Sequence, residues 1–517
     1  MWWCARQGAA PPGRSAATPR LLGCDIGTSA VKVVLWDAAQ ARTASGRSPS
    51  YAMDSPALGC WEQDPALWLS GLQEAVATLR ERLGTPLRID GLVFTGQMHG
   101  LVVTGTGGRP LRPALLWPDQ RAAVEAREVE EAFGPERLAA VTGSPGTANY
   151  ILPKLLWLRR HEPETLQHAE HVLLPKDWVR AALGGDPVTE PTDGSGTGLM
   201  HLDQLAWAPE LTFGLPARML PELVPSASVA GRLHPTWAAR LGLPAGTPLI
   251  AGAGDLPAAV LATGARGAAR PILNVGSAGQ VALVLQTGEQ APAGAQRFCH
   301  PDPRRRIALG ALLAAALAVG WARDRLGGIE PPPPEEVPGI LFVPHLAGER
   351  TPSFDLRVRG AWVGLGLETD GRQMIGAAAY GVAMAYREVL EAMAGTVAGH
   401  RPIVLAEGAV ASDWARRLAN TLGRDVDLCT APSPSALGAC LLGAVALGAR
   451  TWEELGSPET VPIARHEPAA ERLAALYAVY RQVRPALAAA ALRLVGEAGA
   501  DDRFLAATPL APPPPLV

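Results

Sequence analysis

Apolar and polar positions alternate in short blocks from Leu21 onward. Leu21–Cys24 and Val31–Trp36 are apolar runs separated by Asp25, Gly27, Thr28 and Ser29. Two such runs around a small polar turn predict a β-hairpin. Pro65–Leu83 and Arg121–Ala140 have amphipathic helical spacing. Alternating strands and helices indicate an α/β fold.

The pattern returns halfway along the chain. Ile272 and Leu273 lead into Asn274, Gly276, Ser277 and Gly279, and Val281–Leu285 is apolar again. The two turns are about 250 residues apart, which admits an internal duplication with one hairpin per lobe. A chance recurrence of a common turn stays equally open. The Ala-rich run Ile307–Ala322 predicts one core helix, too short to span a bilayer. Residues 1–20 and the Pro-rich end, 496–517, read as tails, and Glu330–Pro338 (EPPPPEEVP) as a surface connection.

Composition narrows the function classes. The chain has 517 residues, 48% hydrophobic and 18% charged, with a net charge of −3. That balance supports a large core and gives no global basic field for nucleic acid or an anionic membrane. Six scattered cysteines without CxxC pairs read as free thiols, with no disulfide framework or zinc site. With no apolar leader, the expectation is a soluble cytoplasmic protein. Lysine occurs only at positions 32, 154 and 176. An arginine-biased coding sequence accounts for this, and each remaining lysine can also mark a place that needs an ammonium; both readings can hold together.

Several residue sets could carry chemistry. The turns at Gly27–Ser29 and Gly276–Gly279 offer backbone N–H groups and hydroxyls for phosphate oxygens. No GxxxxGK[ST] occurs, so a P-loop is excluded. Gly194–Gly198 (GSGTG) reads as a loop. Asp25 beside the first turn suits Mg²⁺ through water, or caps its own turn. Asp255 ends the apolar strand PLIAGAG and opens a helix-like segment. It is a candidate general base, or a helix N-cap. Gln97, Met98 and His99 follow the apolar run Leu92–Phe94 and suit a small polyol; His99 also has a structural reading. Trp61–Asp64, Trp117 with Asp119 and Arg121, and Gly348–Pro352 resemble binding loops.

Together these segments resemble the FGGY carbohydrate kinases, and within them the xylulokinase group. The likeness runs from about Leu21 to Gly448 through GCDIGTSAVK, WEQDP, GQMHG, PKLLW, LLPKD, GAGD, FCH, GERTP and ALGA, in family order. The resemblance implies two actin-like, ribonuclease-H-like lobes around a cleft: a sugar-binding N-terminal lobe at 21–264 and a nucleotide-binding C-terminal lobe at 265–495. It implies Asp255 as the catalytic base and, with Asp25, near Mg²⁺. It places Gln97, Met98, His99, Trp117, Asp119 and Asp255 at the sugar. Gly27, Thr28, Ser29, Gly276, Ser277, Gly408, Ala409 and Gly438 fall on the ATP side.

The implied reaction is ATP-dependent phosphorylation of D-xylulose to D-xylulose 5-phosphate. Its partners are a small ketose and ATP, with neither nucleic acid nor membrane, and a homodimer is left open. Several positions depart from the family pattern. Leu256 stands where Asn is usual, Ala30 where Gly is common, and Pro118 and Gln120 interrupt W-N-D-G-R. The adenosine loop shortens to Ala406–Ala409, and Ala379-Tyr380 replaces an apolar-acid pair. These departures keep open ribulose or sedoheptulose as substrate, or a sugar-binding sensor with little turnover.

Overall fold

The computed structural model describes residues 18–39, 42–57, 59–267, 270–353, 355, 357–394, 401–406, 410–456 and 460–497. The predicted first hairpin forms from β1 (Arg20–Ile26) and β2 (Val31–Asp37), with Asp25 opposite Lys32. Strand β3 (Arg42–Arg47) pairs antiparallel with β2. The amphipathic helix α1 (Ala66–Leu83) turns Trp68, Leu72, Ala75, Val76 and Leu79 inward and stops at Gly84, whose φ of 63° suits glycine. Strand β4 (Gly91–Gly96) lies parallel to β1.

Arg121–Ala140 forms two helices rather than one, α2 (Ala123–Phe133) and α3 (Pro135–Thr142). Gly134, at φ 83°, and Pro135 break the run. Next come α4 (Ile151–His161) and α5 (Pro175–Ala182). Strands β5 (Val229–Arg232) and β6 (Pro248–Gly254) complete a six-stranded sheet in the order β5-β6-β4-β1-β2-β3.

Helix α6 (Asp255–Ala262) follows β6 directly. The second predicted hairpin is β7 (Ile272–Val275) with β8 (Gly279–Gln286), Val275 facing Gly279. It is followed by β9 (Gln296–Cys299) and β10 (Arg305–Leu312). The expected single helix over Ile307–Ala322 is therefore wrong. Its first half is inside β10, and α7 (Ala316–Arg325) begins only after a turn. Alanine, glycine and leucine in a strand covered on both sides leave no alternation to read. Helix α8 (Gly371–Ala394), β11 (Ile403–Ala406), α9 (Ala411–Leu422), β12 (Val426–Cys429), α10 (Pro434–Ala446), β13 (Thr460–Ile463) and α11 (Glu467–Glu497) complete the chain.

The second sheet runs β9-β10-β8-β7-β11-β12-β13. In both sheets a leading hairpin strand pairs parallel with the next central strand, β1 with β4 and β7 with β11. Both also end in an antiparallel edge strand, β5 or β13. Apart from β9, the orders superimpose strand for strand, as duplicated actin-like lobes do.

The lobes exchange helices. Leu256, Ala259 and Val260 of α6 pack with Ile272, Ala282, Val284 and Ile403 of the second sheet. Ala439, Cys440 and Leu442 of α10 pack with Leu21, Val93 and Ile250 of the first. Gly438, expected on the ATP side, is part of helix α10. A Cβ there would lie 1.8 Å from the Ala258 carbonyl oxygen, so glycine lets α10 cross α6 backbone to backbone.

The proline-rich segment is strapped down rather than loose. Pro334 O accepts hydrogen bonds from the Tyr380 hydroxyl and, at 2.8 Å, from Asn420 Nδ2, and Pro332 O accepts from Arg417. Helix α11 docks through Arg484, whose guanidinium lies 2.9 Å from Glu349 and 2.8 Å from Glu388. It supplies the counter-charge for those carboxylates beside His345. No helix among the described residues is long and apolar enough to cross a membrane.

Candidate active site

Asp255 stands where β6 of the first sheet gives way to the helix lying on the second. The GAGD spacing has a local reason. Gly252, at φ 90°, makes a bulge in the pairing of β6 with β4, and a Cβ there would strike Phe94 O at 1.6 Å. Gly254 leaves room for Met98, whose Cγ would be 2.7 Å from an added Cβ. Asp255 is then the first helical residue, with Gly254 as the cap. One of its carboxylate oxygens accepts the Leu256 N–H at 2.6 Å.

Burial, and next the nearby Asp25 charge, raise the Asp255 pKa to about 7, against the Leu256 N–H and Lys32, which act to lower it. A carboxylate poised near neutrality suits a proton acceptor. Asp25 is buried at the end of β1, and its Oδ2 accepts the Ser435 hydroxyl of α10 at 2.7 Å. Two neighbouring carboxylates with hydroxyls beside them form an all-oxygen donor set, the kind Mg²⁺ prefers.

A second group of residues converges from β4 and the following turn. Gln97 is buried; its Oε1 accepts from Thr28 Oγ1 at 3.1 Å, while its Nε2 has no partner among the described residues. His99 is held at φ 64°, a left-handed conformation rare outside glycine. Its carbonyl accepts Lys154 Nζ at 2.8 Å, and its Nδ1 lies 2.8 Å from Gly196 O. Burial lowers the His99 pKa to about 4, despite the Gly196 contact, with Lys154 and Arg350 adding to the fall. The ring is neutral at pH 7. Because Gly196 O can only accept, Nδ1 carries the proton and Nε2 is an acceptor. His99 stacks on Tyr150 at 4.9 Å, and Met98, Tyr150, Leu256 and Phe298 belong to one apolar cluster.

The remaining candidates divide. Trp117 donates from Nε1 to Thr28 Oγ1 at 3.1 Å, joining the first hairpin to this wall. Asp119 is fully buried, and its carboxylate already accepts the Trp61 N–H at 2.7 Å, the Arg121 N–H at 3.0 Å and the Arg121 guanidinium. That corrects its expected sugar contact: Asp119 fixes the turn that carries Trp117. Ser29, Gly276 and Ser277 are exposed at the two hairpin turns, and Gly27 and Thr28 are half-buried. Gly408 and Ala409 lie outside the described residues. Gly438 is the helix-crossing residue described above.

Two of the three lysines are fully buried. Lys154 is buried, with Nζ on His99 O and, at 2.7 Å, on Leu116 O. Burial pulls its pKa to about 7, with Asp119 opposing. Lys176 Nζ meets Asp177 at 2.7 Å, Asp193 at 3.1 Å and Glu190 at 3.3 Å. This cluster steadies β6, because Gly254 N donates to Thr192 Oγ1 at 2.9 Å and Thr192 Oγ1 donates to Glu190 at 2.8 Å. Gly194–Gly198, read as a loop, is buried beside it, and Pro191–Gly194 is a short helix. Ser435 and Asn149 escaped the sequence reading. Ser435 precedes ALGA in an S-P-S helix start, a usable signal; Asn149 offered none.

Comparison with known proteins identifies the family. Residues 20–262 match the FGGY family of carbohydrate kinases, N-terminal domain, and residues 308–447 match its C-terminal domain. The xylulose kinase of Lactococcus lactis is 29% identical over 444 residues, covering 83% of this chain and 88% of the relative. That of Streptomyces rubiginosus is 31% identical over 473 residues, covering 89% and 96%. A crystal structure of a xyloylose kinase from Brucella ovis superimposes with a TM-score of 0.80 at 29% identity, covering 91% of this chain and 99% of that one. The chain therefore belongs to the FGGY family of carbohydrate kinases and is a sugar kinase.

Proposed function

We propose that this kinase transfers the γ-phosphoryl group of ATP to the terminal hydroxyl of D-xylulose, giving D-xylulose 5-phosphate. The observation that carries the reading is Asp255, its pKa raised to about 7 by burial and by Asp25, at the junction of the two lobes. In the proposed mechanism Asp255 accepts the proton of the attacking hydroxyl and fixes that hydroxyl's direction. The unpartnered Gln97 Nε2 and the acceptor Nε2 of His99 hold sugar hydroxyls, and Met98 covers a carbon face. Amides and hydroxyls of the turns at Gly27–Ser29 and Gly276–Ser277 take up phosphate charge. Asp25 and Asp255 would hold Mg²⁺ through its waters, and the ion would supply further charge neutralisation.

One observation favours a second ketose, such as ribulose or sedoheptulose. Leu256, where the family resemblance implies Asn, is buried in one apolar cluster with Met98 and Tyr150, so the wall behind the base is apolar here. A coupled ADP-release assay over D-xylulose, ribulose and sedoheptulose separates the two. The xylulose reading expects D-xylulose to give the highest kcat/KM. A clear preference for another ketose replaces it.

A further inference from the structure

Besides Phe298 and Gln296, the C-terminal lobe reaches into the proposed sugar wall through Arg350. Arg350 Nη2 donates to Thr147 Oγ1 at 3.2 Å and to Asn149 Oδ1 at 3.3 Å. Thr147 Oγ1 also donates to Asn149 Oδ1, at 2.8 Å. Asn149 Nδ2 donates to Trp117 O at 2.5 Å, and Trp117 Nε1 donates to Thr28 Oγ1 at 3.1 Å. Thr28 Oγ1 in turn donates to Gln97 Oε1 at 3.1 Å. Every donor in the series points the same way; the bonds polarise one another on either side of Trp117, whose backbone and side chain link the two halves mechanically. With both carbonyl contacts fixed, the Asn149 amide can sit in only one orientation.

The root of Arg350 is equally constrained. Its neighbour Thr351 pairs with β10: Thr351 N donates to Ala311 O at 3.2 Å, and Ala311 N donates to Thr351 Oγ1 at 3.1 Å. Ala311 faces Gln280, the residue after Gly279 on the far side of the second hairpin turn. On the other side, Glu349 is clamped by Arg484 of α11. The series thus runs from the second hairpin turn, through Arg350, to the first hairpin turn and to Gln97. Arg350 also contributes to keeping His99 neutral.

Resting on the proposed ketose kinase reading, we infer that Arg350 is a positioning residue that couples sugar occupancy at Gln97 and His99 to nucleotide binding at the hairpin turns. A sugar hydroxyl engaging Gln97 tightens Thr28 and Trp117, and through Asn149 it holds Arg350 and the lobe rooted behind it. Because coupling is reciprocal, nucleotide then tightens sugar by the same factor.

The test is calorimetric titration of a non-hydrolysable ATP analogue with Mg²⁺, with and without saturating D-xylulose, on wild type, R350A, R350K and N149A. Wild type is expected to bind nucleotide about five-fold or more tighter with sugar present. In R350A and N149A that ratio falls below about two-fold while the affinity for nucleotide alone is unchanged, and R350K regains part of it. A merely structural role would lower thermal stability and leave the ratio intact. If R350A fails to fold, N149A and R350K carry the comparison. A ratio in R350A and N149A equal to wild type overturns the coupling role alone. No D-xylulose binding to the wild type overturns the ketose reading and the coupling role with it.

Discussion

Asp25 accepts a 2.7 Å hydrogen bond from Ser435, tying the end of the first strand to a helix from the far end of the chain. The exchanged helix therefore contributes to the site as well as packing against the first sheet. Ser435→Ala removes one charge-assisted bond from the Asp25 carboxylate. Turnover should fall on the order of tenfold. The apparent Mg²⁺ requirement should rise in a metal titration of initial rates. Unchanged turnover and Mg²⁺ dependence would detach Asp25 from metal binding.

The raised pKa of Asp255 predicts a pH profile and a stability effect of opposite sign. As base, the carboxylate must be ionised, so kcat/KM should climb with pH to a plateau above about 7. Between its ordinary value of 3.8 and about 7 the folded protein binds the extra proton. Stability contributed by this group is thus lost as pH rises through that window. Asp255→Asn should raise the thermal midpoint at pH 8 relative to wild type and have less effect at pH 5. A midpoint lowered equally at both values would show that the charge is not strained.

Lys154 holds two carbonyls that shape the sugar wall, His99 O and Leu116 O. Lys154→Met keeps the volume, leaves His99 O without its donor and leaves Leu116 O with only the Asp119 N–H at 3.3 Å. A loss of about 1–3 kcal/mol of stability follows from the one carbonyl left unsatisfied. The sugar KM should rise about tenfold with a smaller change in ATP KM, since only the polyol side loses a bond of this size. Denaturant unfolding and initial-rate kinetics check both. An ATP KM that rises as much as the sugar KM would contradict the placement.

Much of this was legible in the chain because hairpins and amphipathic helices leave periodic marks. Both hairpins, α1 and the strand into Asp255 were readable from apolar runs and small-residue turns. Ile307–Ala322 was not, because a strand of alanine, glycine and leucine covered on both faces has no alternation. Asp119 misled for a different reason. Its polar neighbours look like a binding loop, and only the fold reveals that Trp61 N–H and Arg121 saturate it. The resemblance puts Gly438 on the ATP side, but the constraint on it comes from Ala258, far away in sequence. The three lysines were ambiguous from composition alone. The buried ammonium groups of Lys154 and Lys176 favour the reading in which single positions need a lysine.

The most direct measurement is single-turnover ADP formation by Asp255→Ala with saturating D-xylulose, alongside its affinity for Mg²⁺-ATP. Removing a general base should slow phosphoryl transfer by about a hundredfold to ten-thousandfold, with nucleotide affinity within a few-fold of wild type. Near-normal transfer in the variant would contradict proton acceptance by Asp255.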